Sequence, residues 1–194
     1  MNVVIIKYNA GNIQSVLFAL ERIGVQAKVT DNAEEILSAD KIIFPGVGEA
    51  STAMNYLKQR QLDKVILSAK QPLLGICLGM QLLCKHSEEN NTDCLGIFDV
   101  NVKRFESDSL KIPQIGWNNI YIKDNPLLKN IANESYCYFV HSYYAELNNN
   151  TIATSNYGID FSCALAKNNF YGVQFHPEKS ANVGEQILKN FLEL

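Results

Sequence analysis

Apolar and polar positions in the first half of the chain alternate between short unbroken apolar runs and longer stretches with a helical repeat. Val3–Ile6 is apolar throughout, the pattern of a strand buried on both faces of a parallel sheet. Ile13, Val16, Leu17, Leu20 and Ile23 then share one helical face, with Asn12 placed to cap the helix and Gly24 to stop it. The pattern predicts a second strand over 26–30, a short helix over 33–37 and a third strand over 41–44, which Pro45-Gly46-Val47-Gly48 breaks. Helical spacing returns over 51–67, interrupted near Gln61. The apolar stretch 73–76 then delivers Cys77 into a helix-like segment, 80–84.

The second half is richer in short strands, predicted over 100–105, 119–122, 136–140, 152–156, 163–166 and 170–175. Asn-Asn and Asn-Tyr-Gly stretches mark the turns between them. A last amphipathic helix carries Val183, Ile187, Leu188, Phe191 and Leu192. This order implies an α/β fold: a mostly parallel central sheet with helices on both faces, plus a smaller antiparallel strand region in the second half. No linker or repeat interrupts it, so residues 1–194 read as one domain. Ligands bind such sheets at the carboxyl ends of the strands. Both the turn 45–48 and Cys77 fall at such ends.

Composition narrows the class. The 194 residues are 47% apolar and 19% charged, with a net charge of −3 and a pI near 5.6, and no cluster of Lys and Arg marks a nucleic-acid surface. No apolar run approaches the roughly 18 residues that span a bilayer. The first residues read as a strand rather than an export leader, so the expected location is cytoplasmic. Five cysteines (Cys77, Cys84, Cys94, Cys137, Cys163) show neither C-x-x-C spacing nor a disulfide framework. With only three histidines, His86, His141 and His176, neither a metal nor a cofactor is expected.

Gly75-Ile76-Cys77-Leu78-Gly79 has the form of a strand-to-helix elbow with cysteine in the nucleophile's place. Such a turn lifts the thiol off the sheet and sets it at a helix start, where free N–H groups favour a thiolate. Downstream, His176 and Glu178 stand two apart beside Pro177, so on an extended strand they would point to one side. Cys77, His176 and Glu178 thus read as nucleophile, base and orienting carboxylate for acyl transfer. Backbone N–H groups of the turn Pro45-Gly46-Val47-Gly48, with the N–H of Leu78, could form an oxyanion hole. The blander alternatives are a surface His–Glu pair and an ordinary loop. His141 is a competing base, while His86 sits among Ser87, Glu88 and Glu89 in what reads as a solvated loop.

Gly75-Ile76-Cys77-Leu78-Gly79-Met80-Gln81 and Gly172-Val173-Gln174-Phe175-His176-Pro177-Glu178 resemble the two signatures of class I, triad-type glutamine amidotransferases. Pro45-Gly46-Val47-Gly48, Ser87-Glu88-Glu89, Gly116-Trp117-Asn118, Tyr138-Phe139-Val140-His141-Ser142-Tyr143-Tyr144 and Glu178-Lys179-Ser180 are similar to the glutaminase subunits of imidazole glycerol phosphate synthases. The likeness runs from Asn9-Ala10-Gly11-Asn12 to the last helix. It implies that Cys77 attacks glutamine's side-chain amide, that His176 protonates the departing ammonia, and that water cleaves a glutamyl thioester. It further implies that Val47 or Gly48, with Leu78, supplies the oxyanion donors and that Gln81, Ser142 and Tyr143 hold glutamine. The partner it implies is a (β/α)8-barrel cyclase subunit, which would receive the ammonia in histidine biosynthesis. Asn12, Trp117, Tyr138 and Lys179 match positions at the subunit contact. Two residues depart from the pattern: Lys7 replaces an acidic residue, and Gln114 stands where histidine is frequent.

Three other readings compete. One is the amidotransferase subunit of anthranilate or aminodeoxychorismate synthesis, and another is a stand-alone γ-glutamyl hydrolase. The third is a binding module that kept the fold without the chemistry, against which the intact Cys77, His176 and Glu178 argue.

Overall fold

A computed structural model describes residues 1–9 and 11–194, so Ala10 of the Asn9-Ala10-Gly11-Asn12 segment lies outside the described residues. Five strands run parallel in the order β2 (Ala27–Thr30), β1 (Val3–Ile6), β3 (Lys41–Gly46), β4 (Leu73–Cys77) and β13 (Phe170–Val173). Beyond β13 the sheet turns antiparallel through β12 (Asp160–Lys167), β10 (Tyr143–Ala145) and β7 (Asn101–Arg104), and ends on β5 (His86–Ser87) and β6 (Thr92–Asp93). A branch leaves β12 through β11 (Thr151–Asn156) to the hairpin β8 (Gln114–Ile122) and β9 (Ser135–His141). The mixed α/β architecture is the expected one.

Strand alternation divides the core. Val3, Ile5, Ile43 and Ile76 face one side and pack with Val16 and Leu20 of helix α1 (Ile13–Arg22) and Ile187 and Phe191 of the C-terminal helix, Ala181–Glu193. Val4, Ile6, Ile42 and Phe44 face the other side, against α2 (Ala33–Leu37), α3 (Ala50–Gln59), α4 (Leu62–Ser68) and α5 (Leu78–Leu83). Period-two burial on two opposed layers makes these strands unbroken apolar runs in sequence. Among the described residues no helix is long and apolar enough to cross a membrane.

Several boundaries differ from expectation. β3 does not stop at Phe44: Pro45 pairs with Ile76 and Gly46 with Cys77. β1 pairs with β3 only as far as Ile43, so Pro45's missing N–H meets no ladder on that side. β8 begins at Gln114 rather than 119, because Ile115 and Trp117 are apolar residues on its exposed face and mask the alternation. β13 ends at Val173, and β5, β6 and β10 are too short to leave a periodic trace. The interruption expected near Gln61 is present: α3 ends at Gln59 and α4 starts at Leu62, with Gln61 left-handed at φ 57°.

Candidate active site

Cys77 closes β4 with φ 54° and ψ −112°, and α5 begins at the next residue. Only a side chain held by its surroundings stays in that region. The flanking glycines supply the room. A Cβ on Gly79 would lie 1.8 Å from the Phe44 carbonyl oxygen, and one on Gly75 would lie 2.8 Å from the Met80 nitrogen. α5 can therefore start directly over β3 and β4. We expect Gly79→Ala to destabilise the fold by about 3 kcal/mol or more, the upper range for overpacking, read as a lower urea midpoint. An unchanged midpoint would mean the elbow is not packed this tightly.

Register brings the distant motif to the elbow. β13 lies parallel to β4 with Val173 opposite Ile76, so both strands end at the same rim. The chain continues to His176, whose N–H donates to the Tyr138 carbonyl at 2.9 Å and whose own carbonyl accepts from Ser180 Oγ at 2.6 Å. His176 then leads into a 3₁₀ turn, Pro177–Lys179, instead of the extended strand expected from the sequence. The turn still places Glu178 Oε1 2.7 Å from His176 Nδ1, with both side chains almost wholly buried. Burial pushes the imidazole's pKa down, but hydrogen bonds and charge from Cys77 and Glu178 outweigh it and raise it to about 10. Both partners favour the protonated form of the ring beside the sulfur.

Asn12 sits at the start of α1 with left-handed φ 74° and makes no side-chain cap. Its amide donates to Glu178 Oε1, the same oxygen that accepts from His176. The geometry therefore sets it against the carboxylate, a contact that neither the cap nor the interface reading anticipated. Trp117 and Tyr138 pack edge to face on paired positions of β8 and β9, at 5.8 Å, and the Lys179 ammonium lies 6.0 Å from the Tyr138 ring.

A cavity of about 300 Å³ opens over Cys77 and His176. Val47, Gly48, Leu78, Gln81, Ser142, Tyr143 and Lys179 line it, so ten of the thirteen singled-out residues converge here, counting Glu178 behind His176. Asn12, Trp117 and Tyr138 lie outside it. Among the described residues the one carboxylate on its wall is Glu89, half-buried, which accepts from the Ala50 N–H at 2.7 Å. Burial raises the pKa of Glu89, partly opposed by that hydrogen bond. Within an acidic run the residue reads as solvated, and only its place in the Ser87-Glu88-Glu89 segment pointed toward it. Gln174, whose amide reaches Cys77 Sγ, was also passed over.

The other histidines take structural places. His141 is buried, with Nδ1 2.7 Å from the Tyr143 carbonyl and Nε2 2.9 Å from the Gln114 amide. Burial drives its pKa down to about 4, against the pull of the Tyr143 hydrogen bond. A neutral ring with both nitrogens engaged is a poor base. His86 is not in a loop but on β5, 3.0 Å from Asp93. Gln114 thus supports His141, while Lys7 is exposed at the rim of β1.

The family model for glutamine amidotransferase class-I matches residues 4–194. A "putative gmp synthase subunit a protein" of Thermoplasma acidophilum superposes with a TM-score of 0.75, covering 100% of this chain and 93% of that one at 20% identity, which shows the fold alone. The chain is 54% identical to the "Imidazole glycerol phosphate synthase subunit HisH" of Bacteroides fragilis (strain YCH46), with 100% of both chains aligned. It is 47% identical to the HisH subunit of Haemophilus influenzae (strain Rd), over 100% of this chain and 98% of that one. Matched along its length by the family model and by such relatives, this chain belongs to the class-I glutamine amidotransferases, in the HisH family.

Proposed function

We propose that this protein is the glutaminase subunit of an imidazole glycerol phosphate synthase, working through Cys77, His176 and Glu178. The sulfur attacks the amide carbon of glutamine, and the carbonyl oxygen takes up negative charge. Backbone N–H groups at Val47 or Gly48 and at Leu78 are the donors for that oxyanion, each worth about 2.7–4 kcal/mol of barrier in comparable sites. His176, held as imidazolium, gives its proton to the amide nitrogen, and ammonia leaves a glutamyl thioester. Neutral His176 then draws a proton from water, which attacks the thioester and releases glutamate. Glu178 keeps Nδ1–H engaged through both steps, so the other ring nitrogen faces the reaction.

The cavity offers complementary ends for the rest of glutamine. Glu89 suits the α-ammonium group, and the Ser142–Tyr143 stretch and the Gln81 amide oxygen flank the substrate. What carries the reading is the His176–Glu178 pair at 2.7 Å, buried beside a cysteine on a strained strand-to-helix turn.

For the ammonia acceptor we infer a (β/α)8-barrel cyclase bound on the β8–β9 hairpin. Ile115, Trp117 and Tyr136 share its outer face and are 64%, 52% and 56% exposed. Aromatic residues displayed on an edge of polar surface suit a buried contact. Tyr138 and Lys179 join this face to the cavity, while Asn12 stands between α1 and the carboxylate. The same reading treats residues 1–194 as one working domain, placed in the cytoplasm with the rest of histidine synthesis.

Mixing the chain with the cyclase and its nucleotide substrate should raise glutamine hydrolysis well above that of the chain alone. Trp117→Ala should weaken assembly by about 2 kcal/mol, roughly thirtyfold in Kd, while leaving the fold intact. Stimulation by a chorismate-using partner instead would reassign the protein to anthranilate or aminodeoxychorismate synthesis. Turnover of γ-glutamyl peptides without any partner would reassign it to the hydrolases.

A further inference from the structure

Gln174 is completely buried, and its amide bridges two groups of the site. Its Oε1 accepts from Gln81 Nε2 at 2.8 Å, and its Nε2 donates to Cys77 Sγ at 3.7 Å. The two ends of an amide are nearly the same size, so its polarity follows from its partners. A backbone carbonyl can only accept, and the Tyr143 carbonyl lies 2.9 Å from Gln81 Nε2. That contact identifies the Gln81 NH₂ group. The same NH₂ faces Gln174, which must turn its oxygen toward Gln81 and its own NH₂ toward the sulfur.

The sulfur meets a different partner in each protonation state. As a thiol it can donate to the Val140 carbonyl, 3.8 Å away. As a thiolate it can only accept, and Gln174 is the side-chain amide donor beside it. Hydrogen bonds to the charged form favour that form. An amide donates without giving up its proton, so it serves the sulfur equally before attack and after expulsion.

We propose that Gln174 is a further catalytic residue, whose amide N–H stabilises the Cys77 thiolate as nucleophile and again as leaving group. In acylation the thiolate's lone pair forms the S–C bond and the hydrogen bond weakens. In deacylation that bond breaks, its electron pair returns to sulfur, and the Gln174 N–H is already in place. Gln81 is the positioning residue that fixes this polarity. The inference rests on Cys77 being the nucleophile.

The test is the pH dependence of Cys77 alkylation by iodoacetamide in the full chain. Burial pushes the Cys94 and Cys137 thiols up to about 12 and raises those of Cys84 and Cys163 as well, and the Cys77 peptide is followed on its own by mass spectrometry. Gln174→Met keeps the volume and removes the donor. His176, His141, Glu89 and Lys179 in the cavity, and Tyr8 packed on Gly46 behind the elbow, all remain. The alkylation midpoint should rise by about one pH unit, the scale of a hydrogen bond to a charged group. Glutamine turnover in the cyclase complex should fall about tenfold with KM nearly unchanged. An unchanged midpoint overturns the inference. Should the variant fail to fold, side-chain amide resonances of ¹⁵N-glutamine-labelled protein supply a second measurement. One amide should titrate with the thiol in wild type and stay fixed in Cys77→Ala, whereas no such amide would overturn the proposal. Glutamine hydrolysis surviving in Cys77→Ala would instead sink the nucleophile reading itself.

Discussion

Replacing Cys77 by alanine is expected to lower glutamine turnover in the cyclase complex by about ten-thousand-fold or more, the scale seen when a covalent nucleophile is removed. Binding of glutamine should survive, because the cavity walls at Glu89, Ser142 and Tyr143 are untouched. The fold should survive too. Cys77 sits with φ 54°, a conformation that alanine tolerates no better than cysteine, so little changes in backbone strain. Steady-state turnover together with a urea midpoint separates lost chemistry from lost structure. A variant of wild-type stability that still hydrolyses glutamine would remove sulfur from the mechanism.

The second large effect belongs to Glu178→Gln. Its carboxylate is buried, accepts from both His176 and Asn12, and stabilises the imidazolium. An amide there can offer the ring the wrong hydrogen-bonding partner, and the corresponding exchange in a serine triad costs about ten-thousand-fold in kcat. We expect a fall of about a thousandfold or more, with KM little changed. The pH dependence of stability gives an independent sign. The folded His176 pKa of about 10 lies above its ordinary 6.5, so the imidazolium's contribution is complete below 6.5 and disappears as pH rises through about 10. Urea midpoints measured across that window should decline in wild type. In Glu178→Gln the decline should be shallower, because one of the groups holding the proton is gone. A steeper decline in the variant would contradict the pairing.

What could be read in advance depended on whether a residue's role leaves a periodic or positional trace. Val3–Ile6 and the apolar residues of β3 and β4 were legible because strands covered on both faces must be apolar at every position. The elbow was legible because close approach to Phe44 and Met80 restricts positions 75 and 79 to glycine. The start of β8 was not, since Trp117 and Ile115 invert the usual inside–outside sense. β10 escaped notice at three residues, yet it carries Tyr143, whose carbonyl orders Gln81.

Polar residues were harder. Asn12 looked like a cap because a short amide before an apolar repeat is the usual cap signal, but its side chain spends its donor on Glu178. Glu89 lay hidden in an acidic run, and Gln174 in a motif where histidine and glutamate draw attention. Buried amides have no spacing rule, because their partners come from other strands. For Gln174 those partners are Gln81 and Cys77, both far away in sequence.

The central claim is that glutamine becomes covalently bound to one sulfur. Enzyme mixed with glutamine and the cyclase, quenched in acid during turnover and digested, should carry a glutamyl group on the peptide containing Cys77. The adduct should disappear on treatment with hydroxylamine, as a thioester does. Glutamine consumed at full rate with no adduct on that peptide, or with the adduct on another residue, would contradict it.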